Sequence, residues 1–154
     1  MIALYIRLSL SDTDLDEKKE ESNSVVNQRS LLRDFVKEHP EFSGEEVEEF
    51  VDDGYSGTNF ERPAFQRMIE LVKQRIITTV IVKDFSRFGR DYIEVGDYME
   101  RIFPFMGVRF LSVGDAYDSD LHQVGDDKDL EIIMKNIINT YYSRDLSNKI
   151  TSTI

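Results

Sequence analysis

The chain has 154 residues, a length that suits one domain, and 40% of them are hydrophobic, which supplies a core and argues against wholesale disorder. With no cysteine, a disulfide scaffold, a zinc–cysteine centre and a thiol nucleophile are excluded, and no apolar run approaches the roughly 18 residues of a membrane span. The net charge of −11 argues against a free-standing nucleic-acid-binding module, yet residues 10–53 carry 15 acids against 5 bases while the remainder holds 15 against 14, so a local arginine cluster stays possible elsewhere.

Ile2–Ile6 is a short apolar run and predicts a buried strand. The residues before it lack the basic stretch of a signal peptide, and a soluble, cytoplasmic protein is expected. Residues 10–23 are polar and longer than most connections, which predicts a loop. Ser24 is placed to cap a helix carrying Val25, Leu32, Phe35 and Val36, ended by His39-Pro40. Val47–Val51 predicts a second strand, followed by the turn-rich Asp52-Asp53-Gly54-Tyr55-Ser56-Gly57. Pro63 suits the first turn of a helix with Phe65, Met68, Ile69 and Val72 on one face.

Thr78–Val82 is β-branched throughout and predicts the third strand. A loop, Lys83-Asp84-Phe85-Ser86-Arg87-Phe88-Gly89-Arg90, leads to a helix with Val95, Tyr98, Met99 and Ile102 in register, closed by Pro104 and Gly107. Val108–Val113 predicts the fourth strand, and residues 114–126 read as loop with room for a short edge strand. Leu130, Ile133, Met134, Ile137, Ile138 and Tyr141 recur at helical spacing and predict a long terminal helix that reads as cut, as in a piece of a longer protein. The alternation predicts a three-layer α/β/α sandwich with a mostly parallel sheet of four to five strands.

Ligands gather beyond the carboxyl ends of parallel strands, so the polar residues there are the candidates. Strand alternation places Tyr5, Arg7 and Ser9 on one side of the first strand. The second strand leads to Arg62 and the third to Ser86, Arg87 and Arg90. Taken singly, each is most simply a surface arginine or a turn serine; converging on one sheet edge, they would suit a phosphate group, whose oxygens match the guanidinium fork. His39 and His122 lie far apart and give a serine–histidine–acid triad little support. No Gly-x-Gly-x-x-Gly or Walker-type loop is present. Asp52-Asp53 hints at a metal or phosphoacceptor site, weakened by the arginine and serine that end the first strand.

The motifs Tyr5-x-Arg7-x-Ser9, Ser24-Val-Val-Asn-Gln28, Asp53-Gly-Tyr-Ser-Gly57 with Arg62-Pro63, and Ser86-Arg87-Phe88-Gly89-Arg90, in this order, resemble the catalytic domain of serine recombinases of the resolvase/invertase family. The long insert after Ser9 is most similar to the large members found in transposons and phage integrases. The resemblance implies a site-specific DNA recombinase. Ser9 would be the nucleophile that forms a 5′-phosphoserine bond, and Arg7, Arg87 and Arg90 would bind the scissile phosphate. Arg62 would be a further active-site arginine, and Tyr5 and Gln28 would support the site. It implies double-stranded DNA as substrate, a homodimer or tetramer on DNA, no membrane, and neither metal nor other cofactor. Residues 1–126 would form the catalytic domain and 127–154 the start of an oligomerisation helix, with DNA-binding domains further on. Arg144 sits only loosely near an arginine that the family carries on that helix. Many members carry Asp where Ser86 stands, so a general-acid role for that Asp is not carried over. The alternative is a non-catalytic assembly module of the same fold.

Overall fold

The computed structural model describes residues 1–8, 25–53, 62–89 and 91–121. The predicted terminal helix, the Leu10–Asn23 loop and the Ser24 cap lie outside them. The elements in order are β1 (Ile2–Leu8), α1 (Val25–Glu38), a 3₁₀ turn (Pro40–Phe42), β2 (Val47–Asp53), α2 (Pro63–Lys73), β3 (Thr79–Val82), α3 (Phe85–Phe88), α4 (Tyr92–Asp97), a π-helical turn (Tyr98–Ile102), α5 (Phe103–Met106), β4 (Arg109–Ser112) and β5 (Tyr117–Asp118).

The five strands stand in the order β2-β1-β3-β4-β5. The first four are parallel, and β5 is the short edge strand, antiparallel to β4. Residue alternation divides the core cleanly. Ile2, Leu4, Ile6, Ile81 and Leu111 face α1 and the 3₁₀ turn, where Leu32 and Phe42 are buried. Ala3, Tyr5, Val80, Val82 and Phe110 face the other way, toward Phe65, Met68 and Val72 of α2 and Val95, Met99 and Phe103 of the α4–α5 run. A helix layer on each face makes the α/β/α sandwich.

The chain turns from β1 toward β2 through α1 on one face, then returns to β3 and goes on to β4 through helices on the other. Right-handed crossovers require that change of face when the direction reverses. The carboxyl ends of the adjacent strands β1 and β3 therefore flank a topological switch point, where open α/β sheets form their ligand crevice.

Two expectations need correction. Pro104 does not close its helix. Tyr98–Ile102 widens into a π turn in which the Phe103 amide bonds to the Tyr98 carbonyl, and one more turn, α5, follows. A proline ring collides with the carbonyl four residues back in a regular helix, and a widened turn gives that carbonyl room. Gly107 ends the run, with φ +67° and its amide bonded to the Phe103 and Pro104 carbonyls. Residues 85–88 are likewise a helical turn, α3, rather than open loop, because Asp84 caps it by accepting from the Arg87 amide at 3.1 Å.

Candidate active site

The switch point is occupied by arginines. The β1–β3 register pairs Tyr5 with Val82, so Arg7 reaches past the end of β3 to the turn that follows. It is buried, 1% exposed. Its Nε donates to the Arg87 carbonyl at 3.1 Å and its Nη2 to the Ser86 carbonyl. Arg87 answers: its Nη1 donates to the Arg7 carbonyl at 3.3 Å. Gln28, in the first turn of α1, donates its Nε2 to the same carbonyl at 3.1 Å. Helix α1 is thereby tied to the end of β1.

The turn that bears Arg87 is fixed by its own spacing. Phe85 and Phe88, three apart, enter the core, and Phe88 packs against Phe65, Tyr98, Phe103 and Phe110 with ring centroids 5.3–5.7 Å apart. Ser86, between them, donates its hydroxyl to Asp84.

Arg62 arrives from the third side, at the N-cap of α2, and is also 1% exposed. Its Nη2 donates to the Phe88 carbonyl at 2.7 Å, and its guanidinium stands 4.7 Å from the Phe65 ring centre and 5.3 Å from that of Tyr5. Burial holds its pKa below the ordinary value, against the opposing pull of Tyr5 and Asp52. An arginine starts so high that it remains charged. The Tyr5 hydroxyl donates to Asp52 Oδ2 at 2.9 Å, and burial pushes its pKa far above the usual phenol range.

Asp52, whose pairing with Asp53 hints at a metal or phosphoacceptor site, is instead a buried cap. Besides Tyr5 it accepts from the amides of Ala64 and Phe65, each at 2.9 Å, at the start of α2. Arg62 occupies the formal N-cap but gives no side-chain bond there, so the cap comes from a strand residue 12 positions before Ala64. The residue type at the end of a strand was the available signal; the distance in sequence hid the partner. His39 closes α1, stacked on Phe35 at 4.0 Å with Nδ1 2.7 Å from the Phe35 carbonyl.

Of the seven predicted site residues, the structure thus gathers Tyr5, Arg7, Gln28, Arg62 and Arg87 around α3. Ser9 and Arg90 lie outside the described residues, as does His122. Such a cluster places fixed positive charge at the carboxyl end of the sheet. Among the described residues no helix is long and apolar enough to cross a membrane.

The family model described as "Resolvase, N terminal domain" matches residues 2–154. No curated protein matches the sequence. Among solved structures, the fold is similar to the N-terminal catalytic domain of TP901-1 integrase (23% identity, TM-score 0.65, 94% of this chain and 97% of that one). It is also similar to a resolvase family site-specific recombinase from Streptococcus pneumoniae (23%, 0.59, 99% and 94%). A third likeness is to the C-terminal catalytic domain of ISC1926 TnpA, an IS607-like serine recombinase (25%, 0.53, 73% and 69%).

Proposed function

The chain belongs to the resolvase family, whose N-terminal domain it matches over nearly its whole length, and on that premise we propose that it is the catalytic domain of a serine site-specific DNA recombinase. The observation that carries the reading is the mutual grip of Arg7 and Arg87 at the switch point, two residues before Ser9 in the chain. Ser9 Oγ attacks a DNA phosphorus; the Oγ–P bond forms as the P–O3′ bond breaks, and the proton that the serine releases is matched by the one the 3′ oxygen takes up as it leaves as a hydroxyl. The phosphoserine ester keeps the energy of the broken bond, so the reverse attack rejoins strands without ATP.

Charge gathering on the non-bridging oxygens is met by Arg87 and Arg90, with Arg7 close behind, in place of a metal ion. Fixed guanidiniums also lower the cost of deprotonating Ser9. Dimers and then tetramers would assemble on two DNA sites through residues 127–154, and in a longer protein further modules would grip the duplex.

The test is mass spectrometry of the full-length protein trapped on a nicked recombination site. DNA attached to Ser9, and lost in Ser9→Ala with site binding unchanged, is the expected result. Covalent DNA on another hydroxyl moves the nucleophile. No adduct from a folded, site-bound protein favours the assembly module. Loss of cleavage on chelation, with fold and binding intact, would contradict the metal-free scheme.

A further inference from the structure

The turn that carries Arg87 is held from a side that the arginines do not reach. The β4–β5 turn packs along the chain leaving β3: the Val113 amide donates to the Val82 carbonyl at 3.0 Å and the Gly114 amide to the Lys83 carbonyl at 2.6 Å. A Cβ on Gly114 would stand 2.8 Å from that Lys83 oxygen, so only glycine permits the approach. The next residue, Asp115, sets Oδ2 between two donors, the Phe85 amide at 2.9 Å and the Ser112 hydroxyl at 2.6 Å.

The Phe85 amide is the first donor of α3. Asp84 takes the Arg87 amide and the Ser86 hydroxyl, so both acids hold donors of the turn. A turn of four residues leaves most of its end groups to outside partners, and its register depends on its caps. The carbonyls of that turn are the ones Arg7 and Arg62 grip.

We infer that Asp115 is a positioning residue: from the β4–β5 turn it fixes the start of α3, and through α3 the placement of Arg87 and of the carbonyls that orient Arg7 and Arg62. Its described bonds go to the α3 backbone and to Ser112, so it acts through the turn and not on the phosphate. The inference rests on the recombinase reading for its consequence and on geometry alone for the clamp.

Two measurements test it. On the full-length protein bound to a nicked site, Asp115→Ala slows adduct formation by about 10- to 100-fold with site affinity unchanged, the scale of loss expected when a catalytic group shifts by an ångström. Asp115→Asn keeps an oxygen for the Phe85 amide and restores most of the rate. On the 154-residue chain, amide exchange at residues 85–88 accelerates in Asp115→Ala and not in Asp115→Asn, while β1 and β3 stay protected. Wild-type adduct rates in Asp115→Ala, or equal losses in both variants, overturn the inference. If Asp115→Ala does not fold, Gly114→Ala carries the test, with slowed adduct formation and faster exchange at 85–88 expected and wild-type behaviour overturning it. If the wild type forms no adduct, the recombinase reading fails, and the exchange measurement alone decides the clamp.

Discussion

Arg7 and Arg87, 80 positions apart, each hold the other's backbone: Arg7 Nε meets the Arg87 carbonyl at 3.1 Å, and Arg87 Nη1 meets the Arg7 carbonyl at 3.3 Å. A charged side chain placed this way is a brace. It fixes the end of β1 against the turn after β3, and it concentrates positive charge beside the next residues of the chain. Like charges brought together cost energy, and the carbonyl dipoles that face them offset part of that cost.

Arg87→Lys keeps the charge and loses the planar fork that reaches the Arg7 carbonyl. Site binding by the full-length protein should be unchanged while adduct formation slows by roughly 10²–10³, the usual effect of removing one preorganised donor. Single-turnover rates on a nicked site provide the check. A normal rate would make Arg87 a structural brace alone.

Tyr5 and Asp52 should be energetically coupled. Tyr5→Phe removes one hydrogen bond to a buried carboxylate and should cost about 1–2 kcal/mol, and Asp52→Ala, which orphans two helix-start amides and the Tyr5 hydroxyl, about 3 kcal/mol. In the Asp52→Ala background, Tyr5→Phe should cost almost nothing. Denaturant unfolding of the four proteins gives the coupling directly, and strict additivity would show that the bond contributes no stability.

Much of this arrangement is legible in the sequence. Phe65, Met68, Ile69 and Val72 declare the buried face of α2 by their spacing, and alternation along β1 puts Tyr5 and Arg7 on one side. What stayed hidden is tertiary. Asp52 caps a helix from a neighbouring strand, and Asp115 reaches an amide 30 positions away. Neither follows a local capping pattern, since the chain had first to bring β2 beside α2 and β4 beside β3. Pro104 misled for a related reason, because its tolerance depends on a π turn that no residue preference announces.

Gly107→Ala should cost about 1 kcal/mol through backbone strain alone. The glycine sits at φ +67° and a Cβ there meets nothing within 4 Å, so packing does not enter. Gly107→Asn should cost less, since asparagine tolerates the left-handed region. Equal stability of Gly107→Ala and the wild type would show that the helix end relaxes.

Two carboxylates should give opposite pH dependences of stability. Burial raises the Asp115 pKa, against the hydrogen bonds from Ser112 and the Phe85 amide, and nearby Asp84 raises it further. The folded state therefore holds the proton more tightly, and Asp115's contribution is full below the unfolded value and lost as pH rises through the folded one. Melting curves should show Asp115→Asn gaining on the wild type as pH climbs through that window. For Glu49, burial acts upward, but the hydrogen bonds and charges of Arg29 and Arg33 outweigh it and the pKa falls. Its contribution is present above the unfolded value and lost as pH falls through the folded one, so Glu49→Gln should lag the wild type at neutral pH and converge with it in acid. The effect should be small, since both arginines are nearly half exposed. Parallel pH profiles for wild type and Asp115→Asn would remove the first assignment.

The 154-residue chain by itself should bind duplex DNA poorly. Non-specific affinity comes mainly from neutralising phosphates, and this chain carries a net charge of −11, nearly all of it from residues 10–53. Its buried arginines do not make up the deficit, because Arg7, Arg62 and Arg87 direct donors to backbone carbonyls and present almost no surface. A site that grips one phosphate for chemistry is also a different thing from a surface that follows a duplex. Titration of a labelled duplex at physiological salt should give a Kd no tighter than about 10⁻⁶ M, the tight end of ordinary non-specific binding, with a shallow salt slope because few counterions are released. Replacing several acids of residues 10–21 by their amides should tighten binding and steepen that slope, without altering the adduct rate of the full-length protein once it is bound at its site. Submicromolar binding by the unaltered chain would mean that a duplex-binding surface lies within these 154 residues, and the division of labour proposed between this domain and the rest of the protein would fail.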